Sequence, residues 1–196
     1  MDGNEIEIRP LVLSDLGNTV TLHQSQLATE FISRFGKRFL KRYYQAFADS
    51  PYAFALVAVE TTTNQVVGAL LGTVRASAHY RYMTRQCGWR LASLVVLQAI
   101  LHPSLALEVC RTRAKRYLGG LFRHAVAALR KSQGENVVSF EQVGDLTHLV
   151  VDPSRRSQGI GSQLVQAYEF LAWQANVERI DLVTLPRQLG GAGDFY

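Results

Sequence analysis

A chain of 196 residues, 47% hydrophobic and 10% aromatic, with mean hydropathy +0.01 and net charge +5, has enough apolar side chain for one sizeable core. It is too apolar to be disordered, so a single folded domain over residues 1–196 is expected. Two cysteines, Cys87 and Cys110, and no Cys/His cluster at ligand spacing exclude a disulfide scaffold and give no reason to expect a metal, and they point to reduced thiols in a cytoplasmic protein.

The opening residues are acidic and polar, with no apolar stretch to read as a secretory signal. Residues 5–11 alternate Ile6 and Ile8 against Glu5, Glu7 and Arg9, which predicts a first strand ending near Pro10. Ser14 and Asp15 are suited to cap a helix running to about Leu27. Over residues 31–48, Phe35, Phe39, Leu40, Tyr43, Tyr44 and Phe47 fall at three- and four-residue steps. That spacing predicts an amphipathic helix whose aromatic face is a core stripe. Two β-branched runs, 54–60 and 65–74, flank the polar turn 61–64 and predict a hairpin. Gly68 and Gly72 within its second strand predict a bulge or close packing against a neighbour.

Residues 78–135 read as helical, first around Leu91, Leu94, Val95, Leu97, Ile100 and Leu101 and again over 117–129. The apolar part, 91–109, approaches the ~20 residues of a bilayer span. Gln98, His102, Pro103 and Glu108 interrupt it, which favours a buried helical hairpin or a dimer face over a membrane segment. Residues 111–131 hold seven basic residues and no acidic one, so against the total of +5 the rest of the chain is −2. Such a patch attracts phosphates, nucleic acid or an anionic surface, or is simply a solvated helix face. No aromatic RNA-binding motif or helix-turn-helix accompanies it, so nucleic acid is not expected.

The stretch 146–165 reads as strand, loop and helix: an apolar run through Val151, then Pro153, a basic turn with two glycines, and apolar residues at helical spacing. Strict alternation would place Asp145, Thr147, Leu149 and Val151 on one face of the strand and Leu146, His148 and Val150 on the other. The loop residues Arg156, Ser157, Gln158, Gly159, Ile160 and Gly161 would open the helix, where free N–H groups and the helix dipole favour a phosphate. A Walker loop needs Lys-Ser/Thr after its last glycine, and here Ser162 and Gln163 follow. A dinucleotide fingerprint needs three glycines early in the chain. The hexad from Arg156 to Gly161 instead resembles the acyl-CoA-binding signature Arg/Gln-x-x-Gly-x-Gly/Ala of the GCN5-related N-acetyltransferase (GNAT) superfamily.

The resemblance covers about residues 5–77 and 139–196 and implies an α/β (α+β) fold. The sheet would be mixed and mostly antiparallel, with a parallel β4-α-β5 crossover, helices on both faces, and a helical insertion (about 78–135) between strands 3 and 4. It implies acetyl-CoA as co-substrate, no metal, and a small-molecule amine such as an amino sugar or antibiotic as acceptor, acylated by direct transfer. Loop residues 156–161 would hold the pyrophosphate, and Leu149, Val150 and Val151 the pantetheine arm. Family bases sit eleven or nine positions before the hexad, which are Asp145 and Thr147 here; of the two, Asp145 can act as base. His148 reads as a packed or surface histidine, and Glu141 is a further candidate base. Ala192, Phe195 and Tyr196 match the family's next helix, making Tyr196 the candidate general acid, although Leu189 stands where asparagine is usual. Two closing strands would follow in the family, so they are expected to be missing here, and a homodimer would cover the edge of the fifth strand. The other readings are a non-catalytic acyl-CoA-binding module, a protein N-acetyltransferase, and a basic interaction protein binding through residues 111–131.

Overall fold

The alternating N-terminal residues form β1 (Ile6–Pro10), which runs antiparallel to β2 (Ala53–Glu60) with Ile6 opposite Glu60 and Pro10 opposite Leu56. As an edge strand β1 tolerates the proline, which has no N–H to give to a second neighbour. The computed structural model describes residues 5–28, 30–102 and 143–182. β2 turns through Asn64, at φ 55°, into β3 (Gln65–Thr73). β4 (Val143–Val151) pairs antiparallel with β3 and parallel with β5 (Arg179–Leu182). The strand order is β1-β2-β3-β4-β5.

Three helices cover one face of this sheet: α1 (Leu16–Gln26), α2 (Gly36–Ala48) and α3 (Ala76–Leu101). Val20, Phe39, Leu40, Tyr44 and Phe47 pack there on Val57, Leu71 and Val150, with Leu91 and Leu94 of α3 at the margin. The other face carries α4 (Ile160–Gln174), whose Ile160, Leu164, Tyr168 and Ala172 pack on Leu56, Ala58, Leu70 and Leu146. The aromatic stripe of α2 is core, as its period predicts. The helix predicted over 31–48 is divided: Phe31–Phe35 is a 3₁₀ turn, and Gly36, at φ 82°, re-aims the chain into α2. Asp15 ends a 3₁₀ turn (Leu13–Asp15) and locks β1 to it. Its carboxylate accepts from the Val12 N–H at 2.9 Å and from both Arg9 terminal nitrogens at 2.6 and 3.0 Å.

The start of the expected helical insertion is α3, 26 residues long. No helix among the described residues is long and apolar enough to cross a membrane. The expected helix over 117–129, the basic run 111–131, Cys110, Glu141 and the C-terminal residues through Tyr196 lie outside the described residues.

Two register shifts shape the sheet. Ala58 faces Gly68 while Val59 faces Val66, making Val67 an extra residue on β3. Leu71 faces His148 while Gly72 faces Leu146, making Thr147 an extra residue on β4. The second shift overturns strict alternation along β4, because an inserted residue reverses the phase of the side chains beyond it. Leu146, Leu149 and Val151 all lie toward α4, whereas Val150 lies in the α1–α2 core and His148 reaches Tyr43 of α2. Asp145, on the opposite side from Leu146, shares the His148 face. The packing beside this bulge is tight. A β-carbon at Gly72 would lie 2.4 Å from the Tyr168 ring, and one at Gly144 would lie 2.7 Å from the Thr73 carbonyl oxygen. The Tyr168 hydroxyl donates to that same carbonyl at 2.7 Å.

Candidate functional site

The loop between β4 and α4 is built by local hydrogen bonds. Asp152 accepts from the Ser154 N–H at 2.9 Å and from its hydroxyl at 2.6 Å, shaping the 3₁₀ turn Pro153–Arg155. Ser157 (φ 60°) and Gly159 (φ 75°) then turn the chain, and Gly159 is the residue from which α4 starts. Residues 156–159 are exposed, while Ile160 and Gly161 are buried against the sheet. The first-turn amides of α4 have no intrahelical acceptor and carry the positive end of its dipole, so the loop presents backbone donors to an anion. The two arginines have distinct partners. Arg155 pairs with the buried carboxylate of Glu60, and the exposed Arg156 donates to Gln26 Oε1 at 2.8 Å.

The described pairing of β4 with β5 runs from Val143 to Leu146. Leu149, Val150 and Val151, the expected pantetheine-binding residues, are paired by the described residues only with Leu70, Ala69 and Gly68 of β3. An open cavity of about 340 Å³ between α4 and the β4–β5 pair is lined by Leu146, Ser162, Gln166 and Ile180, among others.

The opposite side of β4 holds a cluster of partly buried ionisable groups. Asp145 is half-buried, and burial pushes its carboxyl up, with the Asp181 carboxylate adding to the rise and His148 opposing it. Thr147 lies beside Tyr80 of α3. His148 Nδ1 is 3.1 Å from Glu30 Oε2, and its Nε2 is 3.4 Å from the Tyr43 hydroxyl. His23 stands edge-on to His148 with ring centroids 5.3 Å apart. Its Nε2 is 3.8 Å from the same Glu30 oxygen, and its Nδ1 is 2.9 Å from the Tyr44 hydroxyl. Burial first, and His148 second, pull the His23 imidazole down to about 4, against the raising effect of Glu30. Burial raises the Tyr43 and Tyr44 phenols far above their ordinary value. Both phenols therefore keep their protons. His148 holds the Glu30 carboxyl below its ordinary value, against burial.

Residues 113–196 match the acetyltransferase (GNAT) family. The comparison with curated proteins gave no match. Among solved structures, an aminoglycoside acetyltransferase from an uncultured soil metagenomic sample, in complex with sisomicin, superimposes with TM-score 0.52 at 14% identity over 97% of this chain and 84% of its own. The aminoglycoside N-acetyltransferase AAC(6')-Iy in complex with CoA gives TM-score 0.56 at 11% identity, over 95% and 82%. A transcriptional regulator from Bacillus halodurans C-125 gives 0.54 at 16%, over 98% and 89%. The fold is GNAT-like, and the family match takes in less than half of the chain. At these identities the structural likeness is one of fold.

The hexad follows β4 and Asp145 lies within that strand, whereas the candidate acid Tyr196 lies outside the described residues. Glu30 and His23 were not singled out from the sequence. His23 continues the buried side of α1 with Leu16, Thr19 and Val20, a placement that reads as a core histidine. Glu30 sits in the α1–α2 connection with no local motif to mark it.

Proposed function

We propose that this GNAT-like chain is an acetyl-CoA-dependent N-acetyltransferase that acylates a primary amine of a small molecule by direct transfer. The observation that carries the reading is the turn at Gly159. Its positive φ and exposed backbone open α4 directly after the bulged strand, whose other side carries a partly buried cluster of carboxylates and imidazoles. Arg156, Ser157, Gln158, Gly159, Ile160 and Gly161 would hold the pyrophosphate, and Leu149, Val150 and Val151 the pantetheine amides. Bound acetyl-CoA supplies the thioester. Asp145 is a proton acceptor for the amine, acting through water because its side chain is short, and Tyr196 is the acid that protonates the leaving thiolate. The aminoglycoside-binding descriptions of two structural neighbours support an amine-bearing small molecule as acceptor.

Calorimetric titration of acetyl-CoA into the wild type and a folded Gly159→Glu/Gly161→Glu double variant tests the reading. Micromolar binding lost in the variant, followed by CoA release with an amine acceptor, is the expected result. Binding without turnover of any amine favours a non-catalytic acyl-CoA-binding module, a second reading supported by the neighbour described as a transcriptional regulator.

A further inference from the structure

Removing the proton from an ammonium acceptor needs a base with a fixed orientation as well as a suitable affinity for protons. The β4 bulge places an imidazole beside Asp145 on this face of the strand. His148 points to the α1–α2 side, where Glu30 Oε2 lies 3.1 Å from Nδ1 and the Tyr43 hydroxyl 3.4 Å from Nε2. In the tautomer in which Tyr43 donates to Nε2, Nδ1 carries the imidazole hydrogen and lies 3.1 Å from Glu30, an ion-pair contact without hydrogen-bond alignment. A carboxylate beside Nδ1 favours that tautomer, which leaves the lone pair on Nε2, the logic of a carboxylate–histidine pair. The contact to Tyr43 is long for a hydrogen bond, so a competing donor can displace it. His23 backs the pair: its Nδ1 is 2.9 Å from the Tyr44 hydroxyl, and its Nε2 is 3.8 Å from the same Glu30 oxygen. The side chain of Glu30 is 36% exposed and that of His148 11%, so Glu30 stands at the edge of the cluster and His148 within it.

Resting on the acetyltransferase reading above, we propose that His148 is the residue that takes the acceptor's ammonium proton, with Glu30 as its positioning residue. The ammonium gives one proton to His148 Nε2. The freed nitrogen lone pair attacks the thioester carbonyl, the C–N bond forms, and the C–S bond breaks with its electron pair on sulfur. The proton that nitrogen loses on becoming an amide ends on the thiolate, and the imidazolium returns its own proton to water. Asp145, with its water, is the relay on that path, and His148 is the terminal acceptor.

The test uses the full chain with sisomicin, neamine and spermidine as amine probes and calorimetric acetyl-CoA binding as the parallel readout. His148→Ala is expected to lower kcat by at least about 100-fold, the ordinary contribution of a positioned base, with acetyl-CoA affinity within about threefold and activity partly restored by added imidazole. Glu30→Gln, a change at a partly exposed position outside the core, is expected to lower kcat with little change in KM, and Glu30→Asp to recover part of it. Nitrogen NMR of the unliganded protein should show His148 protonated at Nδ1, and that preference should disappear in Glu30→Gln. Full activity in His148→Ala, or activity lost in Asp145→Asn alone, overturns the assignment while leaving the acetyltransferase reading intact. A wild type that binds acetyl-CoA and acylates none of the amines overturns both.

Discussion

Replacing Arg155 by alanine separates two roles that the sequence leaves joined. In the folded protein its guanidinium is about two-thirds buried and pairs with Glu60, whose side chain is 3% exposed and also accepts from Thr63. Removing one partner of a fully buried ion pair costs about 3–5 kcal/mol, and of an exposed pair at most about 1 kcal/mol. With one partner buried and the other partly open, the loss should be about 2–3 kcal/mol. In a chain of this size that is a fall in Tm of roughly 4–12 °C. Urea unfolding of Arg155→Ala, Glu60→Gln and the double variant would measure it. In the Glu60→Gln background, the arginine deletion should cost less than about 1 kcal/mol, because no buried carboxylate remains uncompensated. Acetyl-CoA affinity of folded Arg155→Ala should change by less than about threefold. Equal costs in both backgrounds, or a loss of acetyl-CoA binding with stability unchanged, would show that Arg155 belongs to the anion loop and not to the sheet.

Gly159→Val should weaken acetyl-CoA binding at least tenfold by calorimetry, since a β-branched residue at φ 75° strains the turn by about 1–2 kcal/mol per residue; an unchanged affinity would remove Gly159 from the site. Gly72→Ala should destabilise by about 1–3 kcal/mol in urea, because its β-carbon would sit 2.4 Å from the Tyr168 ring; Tyr168→Ala in the same chain should recover part of the loss, and an additive result would refute the contact. Burial pulls the imidazoles of His23 and His79 down to about 4. Each is neutral in both states above its ordinary pKa of about 6.5, and below it the unfolded chain takes up the proton first. Stability should therefore fall as pH drops from about 6.5 toward 4, by up to about 1.4 kcal/mol per pH unit for each group. Urea midpoints at pH 7 and pH 5 test this, and His79→Gln should flatten the slope; a slope unaltered in that variant would refute it. Asp15, held low by Arg9 and the Val12 amide against burial, should add a further loss below its ordinary range, which is absent in Asp15→Asn and visible as a shallower acid limb in circular dichroism.

The fold was largely legible because its signals are local. Ile6 and Ile8 alternate, the aromatic stripe of α2 keeps a helical period, and the hexad from Arg156 to Gly161 follows an apolar strand. Each depends on neighbours a few residues away. Gly68 and Gly72 were legible as sites of a bulge or close packing, and both are: Gly68 presses on Leu164 and Ile160, and Gly72 on Tyr168. The face of His148 was not legible. Its phase is set where β4 meets β3, at a register shift between Leu71 and Gly72, and pairing over such a distance leaves no periodic trace. Glu30 escaped for the same reason, since its partners come from α1 and β4. The division of the predicted helix at Gly36 shows the reverse failure, in which a regular apolar period runs through a backbone that does not stay helical.

The pairing of Thr73 with Asp145 carries a kinetic consequence. Each strand lies beside its predecessor in sequence, yet the β2–β3 turn spans only 61–64 while the β3–β4 connection runs to about 70 residues. By the logarithmic cost of closing a chain, that longer loop is about 2.5 kcal/mol less favourable in entropy than the tight turn. The β2–β3 hairpin can therefore form early, and β1 and β4, which close loops of 42 and 69 residues, dock onto it later. The arrival of β4 brings both the anion loop and His148, so nascent chains should acquire amide protection in the hairpin first and acyl-CoA binding only after β4 has docked.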